Sequence, residues 1–309
     1  MRVVVTGGAG FIGSNLCRRL AAADDVDAVV AFDDLSTGFA ANLDDVEVEL
    51  VEGSVLDVDL LENVAHGADA IVHLGARPSV PRSITDPVAS HLANATGTVN
   101  VLEAARRQHT YVVVASSSSV YGATPTLPKR EDLPARPLSP YAASKLATEA
   151  YTNAYASSYG LDTLALRFFN VFGPGQAAGH AYAAVVPAFV DAALDGRPLT
   201  IYGDGTQSRD FTFVDTVTAV LEDAVRRRVT DAEPMNLAFG TRTDLLTLVD
   251  LLQRELGHRL ECHFVAPRPG DVPHSQADSA RLQAAFPGIV PVPLAEGLAA
   301  TVAWMRTMR

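Results

Sequence analysis

Lysine is almost missing from this chain. Of 24 basic side chains only Lys129 and Lys145 are lysines, and arginine supplies every other fixed cation. Each lysine therefore deserves a reason, because a compact ammonium does what a planar guanidinium cannot. Cysteine is also scarce. Cys17 and Cys262 stand far apart, with no CxxC and no histidine-rich context. That excludes a disulfide framework and predicts two free thiols in a reducing compartment. No metal centre is expected. No stretch reaches the ~18 consecutive apolar residues of a membrane span. The opening MRVVVTGG runs directly into a strand, without a charged leader or cleavage site, so no signal peptide and a cytoplasmic location are expected. No internal repeat or low-complexity tract occurs. The net charge of -12 repels phosphate backbones and anionic lipid, so neither nucleic acid nor a membrane is an expected partner.

What is present is ample material for a core. The 309 residues are 48% hydrophobic and 19% charged, which suits one large domain and a smaller one. Short apolar runs alternate with amphipathic stretches through the first half. Strands are expected at Val3–Val5, Asp27–Phe32, Val46–Glu52, Ala70–Leu74, Tyr111–Ser116 and Thr163–Phe168. Helices are expected at Gly13–Ala22, along the whole of Pro87–Gln108, and at Tyr141–Tyr159, where Ser139 and Pro140 form a good start. This rhythm predicts an α/β fold: a Rossmann-type doubly wound parallel sheet, with a smaller mixed α/β substrate domain at the C-terminal end. The expected boundaries are 1–172 and 173–309, with a segment near 210–240 returning to the first unit.

Thr6-Gly7-Gly8-Ala9-Gly10-Phe11-Ile12-Gly13 follows the first strand and opens a helix. Gly7 permits the tight turn, Gly10 lets the backbone approach a pyrophosphate, and Gly13 allows close helix–strand packing. The N–H groups at the start of the helix, around Phe11 and Ile12, then point at the phosphates. Asp33 closes the second strand, 20 residues after Gly13. Its carboxylate suits free ribose hydroxyls and repels a 2′-phosphate, so NAD is the expected cofactor. Asp57, after the third strand, either holds the adenine edge or caps a helix.

Tyr141-Ala142-Ala143-Ser144-Lys145 places a tyrosine and one of the two lysines four apart, on one helix face. A free phenol titrates near 10, and bringing it to about 7 requires roughly 4 kcal/mol. A nearby ammonium and the positive nicotinamide ring of NAD are the expected sources. A tyrosinate made in this way takes a hydroxyl proton while hydride leaves the same carbon. Ser116-Ser117-Ser118-Ser119-Val120-Tyr121-Gly122 ends the fifth strand, where ligands bind in an open parallel sheet, and a serine there can steady the reacting oxygen.

TGGAGFIG, Asp33, SSSSVYG and YxxxK together resemble the extended short-chain dehydrogenase/reductase family, in its branch of nucleotide-sugar epimerases and dehydratases. Arg167–Pro174 (RFFNVFGP), Gly203–Phe211 (GDGTQSRDF) and Arg268–Asp271 (RPGD) extend the resemblance over nearly the whole chain. It implies Ser117 as the catalytic serine beside Tyr141 and Lys145, and Asn94 as a neighbour of cofactor and active site. It implies Asn170, Arg209 and Arg268 on a diphosphate, Asp271 on a ribose, and Ser79 and Tyr202 among the substrate contacts. Dehydratases of this kind carry an Asp-Glu pair directly after the catalytic residue. Ser118 and Ser119 stand there, and neither protonates a leaving hydroxyl well. The resemblance therefore implies an NAD-dependent UDP-hexose 4-epimerase working through a transient 4-keto sugar. Small Ser275 leaves room for an N-acetyl group, implying UDP-N-acetylglucosamine and UDP-N-acetylgalactosamine, with UDP-glucose and UDP-galactose beside them. Arg77 departs from the pattern and keeps UDP-glucuronate epimerisation open; a nucleotide-sugar 4,6-dehydratase is the other alternative. A homodimer built on the helices near 90–108 and 141–159 is implied as well.

Overall fold

The computed structural model describes residues 1–178, 184–267 and 272–309. Its first six strands are β1 Arg2–Thr6, β2 Ala28–Asp33, β3 Glu49–Glu52, β4 Ala70–His73, β5 Tyr111–Ser117 and β6 Thr163–Phe168. Three short strands, β7 Asn170–Phe172, β8 Leu199–Tyr202 and β9 Ser208–Arg209, come next. Four more follow: β10 Phe211–Phe213, β11 Met235–Leu237, β12 Thr243–Asp244 and β13 Cys262–Val265. Helices α1 Phe11–Ala21, α2 Val58–Ala65, α3 Val80–Thr85, α4 Pro87–His91, α5 Gly97–Gln108 and α6 Pro140–Tyr159 accompany the first six strands. Helices α7 Val185–Leu194, α8 Val214–Arg227, α9 Leu245–Leu256, α10 Ala280–Ala285 and α11 Leu294–Thr307 accompany the rest.

The main sheet has the order β11-β6-β5-β4-β1-β2-β3, all parallel. This is the doubly wound Rossmann arrangement. Its strands are nearly continuous apolar runs because helices cover both faces. Side chains alternate between those faces. Val3 and Val5 join a core with Leu16 and Leu20 of α1, Val217 and Leu221 of α8, and Leu282 and Phe286 near α10. Val4 joins the opposite core with Leu61 of α2, Leu102 of α5 and Tyr155 of α6. A third core, around Phe172, Phe189, Leu199, Leu248 and Val302, unites α7, α9 and α11 with the small strands of the C-terminal part. Segments after residue 210 thus supply α8, β11 and α10 to the sheet layers, while β8, β13, α7, α9 and α11 pack beside them.

Two elements differ from the sequence expectation. The third strand begins at Glu49, because the chain from Ala40 to Leu43 first makes a 3-10 turn and Val46 bonds back to Leu43. The helix expected over Pro87–Gln108 is broken. Between α4 and α5, Leu92–Thr96 forms a π-helical turn, and Asn94 inside it is 1% exposed. A π turn widens the helix by a residue and redirects its side chains, a device frequent at functional sites. The expected start of α6 is present: the Ser139 hydroxyl accepts the Ala142 N–H at 3.1 Å, with Pro140 first in the helix. Its end is set by Gly160 in the left-handed region, φ 64°.

Leu102 is fully buried between α5 and the sheet. Leu102→Ala is expected to cost about 2–5 kcal/mol through lost burial and a residual cavity. Urea denaturation reads this as a lower midpoint with unchanged slope; an unchanged midpoint would contradict the packing described.

Candidate active site

In a parallel sheet all strands end at one edge, and here that edge carries Thr6, Asp33, His73 and Ser117. The glycine-rich turn lies between β1 and α1. Gly7 has φ +70°, and a Cβ there would sit 2.8 Å from the Gly75 nitrogen. A Cβ on Gly13 would sit 2.0 Å from the Gly7 carbonyl oxygen, so turn and helix touch backbone to backbone. A Cβ on Gly10 would meet only the Gly7 oxygen, at 3.2 Å, and otherwise faces open space. Helices α2, α6 and α9 are capped by the side chains of Asp57, Ser139 and Asp244, but Gly10 brings no capping side chain to α1. The first N–H groups of α1, from Phe11 and Ile12 onward, therefore point out of the turn with the positive end of the helix dipole behind them. The side chains of Phe11 and Ile12 pack into the C-terminal core.

Asp33 is buried at the end of β2. It accepts the Ala9 N–H at 3.0 Å and the Leu35 N–H at 2.8 Å, and burial raises its pKa. Its carboxylate is held against the turn, where ribose hydroxyls of a dinucleotide would lie. An uncapped helix start, an open glycine and a buried acid beside them fit a dinucleotide with an unphosphorylated adenosine ribose. Asp57 is exposed and caps α2, accepting the Leu60 N–H at 3.2 Å.

The tyrosine, lysine and serine named from the sequence meet. The Tyr141 phenol lies close enough to Ser117 for the serine to act on its pKa, and the Ser117 hydroxyl accepts the Ser119 N–H at 3.2 Å. Lys145 is buried and donates to the Ala115 carbonyl at 2.7 Å. The electrostatics differ from the sequence expectation. Burial raises the Tyr141 pKa, with Ser117 pulling the other way, and Lys145 itself is pushed down to about 8 by burial. The protein alone keeps the phenol neutral; lowering its pKa requires the positive charge of a bound cofactor as well. The other lysine, Lys129, is buried on the Thr124 carbonyl and has a structural role.

Asn94 reaches this centre indirectly. Its amide donates to the Ser144 hydroxyl at 2.9 Å and its carbonyl side accepts the Arg77 N–H at 2.7 Å. Ser79 caps α3, weakly, from a backbone with φ 101°, a strained value for serine. The Arg77 guanidinium pairs with Asp86 at 3.1 Å.

The remaining residues form a second group. Asn170 opens β7 and bonds to the Asp210 carbonyl through its backbone N–H at 3.2 Å. Arg209 lies beside Asp210 and holds the Ser208 and Pro273 carbonyls at 2.9 and 3.2 Å. The Ser275 N–H bonds to the Ser208 carbonyl at 3.0 Å, and Tyr202 closes β8. Arg268 and Asp271 lie outside the described residues.

Several contributors escaped the sequence reading. Asp210 is fully buried and accepts the Gly240 and Ala277 N–H groups and the Thr241 hydroxyl, joining three loops; burial lifts its pKa to about 6. Glu149 and Arg167 form a buried ion pair behind Lys145. An acid four residues beyond Lys145 and an arginine within an apolar strand were the available signals.

The family model described as "NAD dependent epimerase/dehydratase family" matches residues 3–238. A UDP-glucose 4-epimerase of Mycolicibacterium smegmatis is 41% identical, with 99% of each chain covered. Among solved structures, the UDP-N-acetylglucosamine 4-epimerase of Methanobrevibacter ruminantium, in complex with UDP-N-acetylmuramic acid, superposes with a TM-score of 0.94 at 35% identity. That match covers 100% of this chain and 99% of the other. The UDP-glucuronic acid 4-epimerase of Bacillus cereus, bound to UDP-glucuronic acid and NAD, gives 0.91 at 28% identity, with 100% of both chains covered.

Gly13→Ala must displace the Gly7 carbonyl, so a loss of NAD affinity of at least roughly tenfold is expected, equivalent to about 1.4 kcal/mol. Calorimetric titration with NAD checks it. An unchanged dissociation constant would contradict the close contact between turn and helix.

Proposed function

Because the chain belongs to the NAD dependent epimerase/dehydratase family and so works with NAD, we propose that it is a UDP-hexose 4-epimerase. Its proposed substrates are UDP-N-acetylglucosamine and UDP-N-acetylgalactosamine, together with UDP-glucose and UDP-galactose. The observation that carries this reading is the Tyr141–Ser117 contact above a buried Lys145, with serines and no acid at 118 and 119.

When bound, NAD supplies the oxidising power at C4 of the sugar. The protein does the rest. Tyr141 takes the O4 proton and later returns it, Ser117 holds O4 and the phenol together, and Lys145 stabilises the phenolate. Ser118 and Ser119 offer no group acidic enough to expel a hydroxyl, which favours epimerisation over dehydration. Gly7, Gly10, Phe11, Ile12 and Gly13 hold the cofactor pyrophosphate, Asp33 its ribose, and Asp57 its adenine edge; Asn94 orders the helix beneath. Asn170, Arg209 and Arg268 take the substrate diphosphate and Asp271 its ribose, with Tyr202, Ser79 and Ser275 lining the remainder. The small Ser275 leaves room for an N-acetyl group. The uronate reading leans on Arg77, whose charge already has a carboxylate partner in Asp86, so the unacidified sugars are favoured.

The proposal extends to a homodimer. Helix α6 has two charged residues, Lys145 and Glu149, and buries both. Its exposed side carries Ala143, Ala150, Tyr151 and Ala154, and Ile84, Val88 and Leu92 stand exposed on the neighbouring helices. This inverted polarity suits an isologous contact with a second copy.

Incubation with each UDP-sugar and separation of the epimers tests the reaction; release of water or CO₂ instead would sink the epimerase reading. Tyr141→Phe is expected to slow turnover about 10²–10⁴-fold with little change in the KM for the sugar. By light scattering the protein is expected to be a dimer and Ala150→Glu a monomer; a monomeric wild type would refute the packing proposal.

A further inference from the structure

Tyr141, Lys145 and Glu149 stand at intervals of four on α6, so all three share one face. Each meets the end of β5. The phenol lies beside Ser117, the ammonium donates to the Ala115 carbonyl at 2.7 Å, and the Glu149 carboxylate accepts the Ser116 hydroxyl at 2.5 Å. The third contact is the most firmly held. Arg167 of β6 donates to both Glu149 oxygens, at 2.8 and 2.9 Å. Arg167 is itself fixed by the Tyr121 hydroxyl at 2.9 Å and by stacking 4.8 Å from the Tyr121 ring centre. The Tyr121 hydroxyl donates to the Asn236 side-chain carbonyl at 2.7 Å.

Stability does not account for this arrangement. The Arg167 and Glu149 side chains are 6% and 3% exposed, and a buried ion pair returns little more than its desolvation costs. Its position suggests a different role. Elements packed around Lys145 bring His73 from β4, Arg167 from β6, Tyr121 from the turn after β5, and Tyr141 and Glu149 from α6 itself. The π turn and α5 bring only neutral Asn94 and Thr98. Burial keeps His73 neutral, with a pKa down to about 3, and keeps both phenols protonated. Helices α3 and α4, which also pack on α6, bring Arg82, His91 and Asp86, the last paired with Arg77 at 3.1 Å. Glu149 is the anion on the Lys145 face of α6.

We propose that Glu149 is a positioning residue for the reaction: locked by Arg167 and Ser116, it sets α6 against the end of β5 and supplies the counter-charge for the Lys145 ammonium. The proposal rests on the epimerase reading, in which Lys145 must stay charged beneath Tyr141. Burial lowers the Lys145 pKa and Glu149 opposes that effect. Without the carboxylate, Lys145 loses its proton at lower pH, and the phenol loses its cation.

The scarcity of lysine makes this directly measurable. Protein labelled with ¹³C at lysine gives signals from Lys129 and Lys145 alone, and Lys145→Met assigns them. In the NAD-loaded protein, Glu149→Gln is expected to move the Lys145 titration and the alkaline limb of kcat about 1 pH unit lower. The KM for the sugar should be unchanged and Lys129 unmoved. Because Glu149→Gln strands the Arg167 charge, Glu149→Leu with Arg167→Met serves as a second variant that folds without either ion; it should shift in the same direction by less. Lys145 titrating as in wild type in both folded variants would overturn the proposal. Failure of the wild type to epimerise any UDP-sugar would instead remove the parent reading, since the lysine titration is read without sugar.

Discussion

Helix α6 turns its two charges inward, and this seam with β5 constrains the rest of the molecule. An ammonium and a carboxylate buried on one helix face cost several kcal/mol each unless every polar atom is met. Ala115, Ser116 and Arg167 meet them, which requires β5 to lie between β4 and β6 and to end at that level. With Lys145 and Glu149 fixed, Tyr141 is left one turn higher, at the strand edge, where its phenol meets Ser117. The same inversion leaves alanines and Tyr151 facing outward, so the candidate catalytic face and the proposed subunit contact have one physical origin.

A second buried chain ties this seam to the glycine-rich turn. The Thr98 hydroxyl donates to the Asn94 backbone carbonyl at 2.5 Å, and so accepts from His73 Nε2 at 3.2 Å. Thr6 accepts the Gly75 N–H at 3.1 Å and donates to His73 Nδ1 at 2.7 Å. The imidazole thus carries one proton, on Nε2, in keeping with a pKa that burial pushes down to about 3. From the end of β1 to Ser144 beside Lys145, each polar group has its partner, because an unpartnered one in this core would be costly. The glycine-rich turn and the tyrosine–lysine helix are therefore held in one frame.

The local elements were legible because their signals are local. A strand, a glycine turn and a helix start announce themselves within a dozen residues, and so does a Tyr–Lys pair at helical spacing. The apolar period over 87–108 runs on through the π turn and so predicts one continuous helix; what breaks it is the need to bury Asn94 against Ser144, 50 residues away. Arg167 and Asp210 stand out in the sequence only as parts of family-like stretches. Their roles depend on Glu149 in one case, and on Gly240, Thr241 and Ala277 in the other. Asp57 caps α2 through one carboxylate oxygen, which leaves the other for the proposed adenine contact.

The sequence alone determined the sheet class, the glycine-rich turn after β1, and the shared helix face of Tyr141 and Lys145, since each follows from periodicity or from a spacing within one element. The tertiary structure decided the electrostatics. Burial raises the phenol and lowers the ammonium, opposite in sign to an exposed pair on a helix, and only the packing of β4, β5 and β6 around α6 says how deep that burial is. It also decided that Lys145 donates to the Ala115 carbonyl and that Arg167 pairs with Glu149, because such partners are chosen by distance in space, and nothing in the order of residues records that distance.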